Sequence, residues 1–166
     1  MLTSLLLTDC NLQMLTKIQS FFEKNFVSGS PALAGDSGTD ASHIALAALM
    51  IEVAEADYED APEEQATILN IVKTSLDLTT NKAEEIIALA KEEHANSTDY
   101  FQFTRLINDN YSAQQKIELI ENLWRIAFSD QVLDKYEEHV IRRISDLIYI
   151  SHSDFMATKL RVKAGL

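Results

Sequence analysis

Residues 41–56 read ASHIALAALMIEVAEA, and up to Ile51 only Ser42 and His43 are polar. A helix on the surface of a globular protein shows one apolar stripe, whereas a helix apolar on every face must be surrounded by others. The stretch therefore predicts the central helix of a bundle, with polar character returning at Glu52. The chain around it agrees. Four Gly and two Pro among 166 residues leave few breaks, and 46% apolar with 24% charged residues is ordinary for one globular domain.

Working outward, the helix starts announce themselves. Pro62 suits a first helical position, and Glu63 and Glu64 follow in the first turn, where the dipole favours negative charge. Ile68, Ile71 and Val72 then face inward along a helix ending near Ser75. Asn81-x-x-Glu84, Ser112-x-x-Gln115 and Asp134-x-x-Glu137 have the spacing of reciprocal caps, and Ser151 or Ser153 opens the last helix. A short helix is expected from Asp99. Upstream, residues 11–26 form an amphipathic pattern with Leu15, Ile18, Phe21, Phe22 and Phe26 on one side. Residues 27–40 collect Gly, Ser and Pro and read as a flexible linker. The expectation is an all-α fold: a compact bundle of about seven to eight helices over residues 41–166, with residues 1–40 an N-terminal helix plus linker.

The sequence also echoes itself. Ala54, Asp57, Glu64, Ile68 and Ile71 match Ala127, Asp130, Glu137, Ile141 and Ile144 at a constant offset of 73 residues. That implies a duplicated helix–turn–helix–helix unit with an internal pseudo-two-fold relation. Each Asp falls at a helix end, where the dipole opposes it by about 0.3–1 kcal/mol unless backbone donors or a cation offset the cost. Each Glu falls at a third helical position, where it also suits a plain helix start. Two readings follow: a cation site built from Asp57, Glu64, Asp130 and Glu137, or helix grammar alone. Their oxygens would favour Ca²⁺, Mg²⁺ or Mn²⁺ over a soft metal. Residues 57–62, DYEDAP, lack the glycine of an EF-hand loop, and Lys91 and Tyr136 stand where a di-iron bundle needs Glu before His94 and His139.

The formal charge is −12, from 26 acidic and 14 basic residues, which argues against non-specific nucleic-acid binding. Thirteen carboxylates but only three lysines fall within residues 52–99, whereas residues 140–166 are mildly basic. A basic protein partner would suit the acidic face. Cys10 is the sole cysteine, so the cytoplasm is the expected compartment. The opening MLTSLLLTDC has no cationic start and predicts no signal peptide. No apolar run reaches ~18 residues, and residues 11–26 carry only Lys17 and Lys24, so membrane attachment is not expected. His43, His94, His139 and His152 lack ligand spacing and are read as surface or half-buried. Glu52 occupies the position equivalent to Arg125, which predicts an ion pair between them. Trp124, Tyr100, Phe101 and Phe103 are assigned to the core. No nucleophile has a recognisable setting, so the chain reads as non-enzymatic. The alternatives are a metal-dependent hydrolase using those same acids, or a scaffold recruited to membranes through residues 11–26.

The stretches MIEVAEAD, STDYFQFTRLIND, ENLWRIAFSD and YEEHVIRRISDLIYISHSDFMATKLR resemble, in that order, the tellurite-resistance TerB-like family, closest to a small bacterial branch carrying that domain and little else. The likeness covers residues 41–163. It implies an all-helical fold with an internal pseudo-repeat, a link to tellurite or stress response, and no established enzymatic activity. It also implies a divalent-cation site at the acidic turns, carried here by Asp57, Glu64, Asp130 and Glu137. The family places Gly directly after each Asp; here Tyr58 and Gln131 stand there, while Asp60 and Asp134 keep the acidity. Residues 14–22, MLTKIQSFF, are similar to the family's usual beginning, which makes Met14 an expected start. Nothing in this acidic chain is built to hold the tellurite anion.

Overall fold

A computed structural model describes residues 37–56, 61–96 and 100–166. The expected helix at 11–26, most of the linker, residues 57–60 with Asp57, and the start at Asp99 lie outside the described residues. Within them run seven helices: α1 (Ser37–Ala54), α2 (Pro62–Ser75), α3 (Thr80–Asn96), α4 (Phe101–Asn110), α5 (Ala113–Ala127), α6 (Lys135–Leu147) and α7 (His152–Ala164), with no strand among the described residues. The fold is all-α.

α1 is the axis. From Ile44 to Ile51 every residue is buried, and Val53 and Ala54 continue the run past half-buried Glu52. It packs against α2, α3, α4, α5 and α6, so its apolar residues meet neighbouring helices on every side. Small Ala45, Ala47 and Ala48 allow close approach, while Leu46, Leu49, Met50 and Ile51 fill the space between neighbours. α1 begins at Ser37, so residues 37–40 of the expected linker belong to the helix. First-turn N–H groups need no intrahelical partner, and Ser and Asp suit a helix start, so this polar segment can join it.

The caps follow the chemistry read from sequence, with one shift. Ser112 and Gln115 make a reciprocal box, as do Asp134 and Glu137, and Ser151 rather than Ser153 caps α7. At α3 the cap is Thr79, whose Oγ1 accepts from the Lys82 N–H at 3.4 Å. Asn81 sits inside the first turn instead, two residues late for the role expected of it. Tyr100 precedes α4 without a side-chain cap.

α2 and α6 begin 73 residues apart and end alike. Asp77 (φ 50°) and Tyr149 (φ 64°) take the left-handed conformation after each helix. The Leu78 N–H then donates to the Lys73 carbonyl and the Ile150 N–H to the Ser145 carbonyl, both at 2.9 Å. This closure satisfies carbonyls that the helix end would otherwise orphan. α6 is one residue shorter than α2, 13 against 14, so the offset falls to 72 at these ends. α1 packs on α2, α3 and α6, and α5 packs on the equivalent α6, α7 and α2, although α1 lies more extensively on α3 than α5 does on α7. The α2–α3 packing has no match of that extent, and α4 lies along α1 with no counterpart. A spatial two-fold relation remains a proposal, tested by superposing α1–α2–α3 on α5–α6–α7.

Candidate functional site

The C-terminal end of α1 carries Glu52 and Glu55 one turn apart, just before residues 57–60, DYED. α3 runs along α1 and brings His94 between the two carboxylates. Nε2 of His94 hydrogen-bonds Glu52 Oε2, and Nδ1 lies 3.4 Å from Glu55 Oε2. Both ring nitrogens therefore face carboxylate oxygens, an arrangement that favours the protonated imidazole. The hydrogen bond to Glu52 raises the His94 pKa; burial opposes the rise, and the charges of Glu52 and Glu55 add to it.

This replaces the predicted pair of Glu52 with Arg125. Arg125 stays on its own helix, bonding Asn122 Oδ1 and lying 3.6 Å from Glu121. α1 packs most extensively on α3 and α4, which puts Glu52 against α3. Sequence offered no local signal for His94, because its partners lie some forty positions upstream.

The second turn is organised by its backbone. Asp130 Oδ1 accepts from the Val132 N–H at 3.0 Å, and Glu137 Oε2 accepts from the Asp134 N–H at 3.1 Å. Asp134 Oδ1 in turn accepts from the Tyr136 N–H at 2.6 Å. Gln131 has φ 66°, so the left-handed residue expected after Asp130 is present without glycine, at a strain of roughly 1–2 kcal/mol. In the first turn, Ala61 has the extended backbone of a cap position but no side chain to accept with. Glu64 and Glu137, at equivalent third positions, are 2% and 1% exposed. Asp130 is exposed, and Asp57 lies outside the described residues. Among the described residues no group of three or more His, Cys, Asp or Glu is placed to hold a metal ion.

The opposite charge is partly consumed inside the fold. Arg161 of α7 pairs with Glu121 of α5, and Lys159 of α7 with Glu138 of α6 at 2.9 Å. The same Lys159 stands 5.2 Å from the ring centre of Trp124, which is fully buried against Phe128 and Phe155. Phe103 is buried as expected and Tyr100 packs half-buried on the core, but Phe101 is 61% exposed. It opens α4 exposed to solvent, so its assignment to the core is corrected. His139 and His152 are exposed, and His43 is half-buried.

The seven helices among the described residues, wound about one apolar helix, define the class of domain. Residues 43–160 match the family of Tellurite resistance protein TerB, and the chain belongs to that family. No curated protein and no solved structure matches the chain. No helix among the described residues is long and apolar enough to cross a membrane.

Proposed function

We propose that this tellurite-resistance-associated domain is a non-catalytic cytoplasmic module that recruits positive charge at the acidic end of α1, binding a hard divalent cation there. The carrying observation is the convergence of Glu52 and Glu55 on His94 immediately before residues 57–60. The two carboxylates raise the His94 pKa, so that end of the bundle favours positive charge. Asp57 and Glu64 would contribute from the first turn, Asp130 and Glu137 from the second. Asp130 uses only Oδ1 on its own turn, which leaves Oδ2 for a ligand. Carboxylate oxygens suit Ca²⁺, Mg²⁺ or Mn²⁺. The same field would favour a protein partner with a basic surface.

The test is a calorimetric and thermal-shift titration of Ca²⁺, Mg²⁺, Mn²⁺ and Zn²⁺ on the wild type and on the Asp57→Asn/Asp130→Asn double variant. Saturable stabilisation by a hard cation is expected, about 2.7 kcal/mol at a hundredfold excess over Kd, and it should vanish in the double variant. An identical response, or none, in both proteins would sink the cation site. Binding of a lysine-rich peptide that these substitutions weaken would then favour the protein partner.

A further inference from the structure

At the other end of α1, a half-open cleft of about 160 Å³ lies between α1, α5 and the C-terminal ends of α2 and α4. A cavity of about 150 Å³ holds a benzene-sized molecule, so there is room for five or six heavy atoms. Leu46 and Leu119, both buried, give it an apolar base. Its walls are polar. Among the described lining residues, Glu118 is the only one with a formal charge. Burial lowers the His43 pKa, keeping that ring neutral, and pushes the Tyr111 hydroxyl up to about 12.

The backbone adds to the negative character. α2 ends at Ser75 and α4 at Asn110, both on the cleft, so two negative helix ends face it. The positive end of α5 is closed by its own cap, Ser112 with Gln115. Asn110 Nδ2 donates to the Leu106 carbonyl at 2.9 Å, which leaves Oδ1 as the acceptor end of that amide.

We propose that this cleft binds the alkylammonium group of a short aliphatic amine. An ammonium has three donors, and the residues lining the cleft carry three acceptor groups: the Glu118 carboxylate, whose Oε1 also accepts from Gln114 Nε2 at 3.4 Å, the Asn110 amide oxygen and the Tyr111 hydroxyl. The methylenes lie on Leu46 and Leu119. A bare inorganic ion would leave that apolar base uncovered, and an anion would meet Glu118 and two negative helix ends. The amine is either a free diamine or a lysine side chain of another protein, since both present this chemistry.

The full chain should be titrated with 1,4-diaminobutane and with a short lysine peptide, following the Asn110 side-chain amide and the Tyr111 ring by NMR. Saturable shifts with a Kd of about 1 mM are expected, weakened about tenfold by Glu118→Gln. Glu118 is exposed, so that variant should fold; Tyr111→Phe, which keeps the ring and removes the hydroxyl, is a second probe and should weaken binding less. Tighter binding of the diamine would identify a free amine, and tighter binding of the peptide a protein side chain; either supports the site. The proposal is overturned if neither probe saturates, if 1-butanol binds as tightly, or if Glu118→Gln binds like the wild type. The Asp57→Asn/Asp130→Asn variant should bind both amines unchanged, which separates this cleft from the acidic turn.

Discussion

His94 has a charge state set by another helix. Its hydrogen bond to Glu52, with Glu55 on the other ring nitrogen, raises its folded pKa above the ordinary 6.5. A raised pKa means that the folded state binds the proton more tightly than the unfolded chain does. The stabilisation is therefore fully present below about pH 6.5 and is lost as pH rises through the folded value. Urea midpoints of the wild type and His94→Gln should differ most near pH 5.5 and converge at high pH. A gap independent of pH would show that the ring acts by packing alone. Asp130 and Gln131 make a related point. The carboxylate folds onto the Val132 N–H and the next residue adopts φ 66°, so a short polar side chain and a strained neighbour together set the turn.

At the scale of the helix, α2 and α6 start from different cap residues. Asp134 caps α6 and pairs reciprocally with Glu137; Ala61 holds the same place before α2 and cannot. Its backbone, φ −85° and ψ 119°, is already that of a cap residue. Ala61→Ser should therefore stabilise the protein by about 0.5–1 kcal/mol, read from chemical denaturation. A loss of stability would mean that the first turn is organised differently from the second. Capping was the most legible feature of the chain, because a cap is chemistry over four residues. Where it misled, at Asn81, a neighbouring Thr79 offered the same hydroxyl chemistry two positions earlier.

At the scale of the molecule, α1 ties the bundle together, so damage there should be felt everywhere. Leu49 is fully buried in its middle. Leu49→Ala should cost about 3–4 kcal/mol, a large part of the 5–15 kcal/mol typical of a domain. Unfolding followed by Trp124 fluorescence and by helical circular dichroism should stay coincident, since both report on elements packed around α1. Separate transitions would show that the two halves of the bundle fold independently.

Sequence alone determined the helical class, the central place of α1, the starts at Pro62, Ala113 and Lys135, and the inward faces of α2. Each depends on periodicity or on contacts a few residues apart, and such signals survive in one dimension. Only tertiary structure decided that Glu52 meets His94 rather than Arg125, that Phe101 faces outward, and that Glu118, Asn110 and Tyr111 share a cleft. These outcomes depend on which helix faces are brought together, and the packing of α1 against α3, α4 and α5 settles that over separations no local pattern encodes.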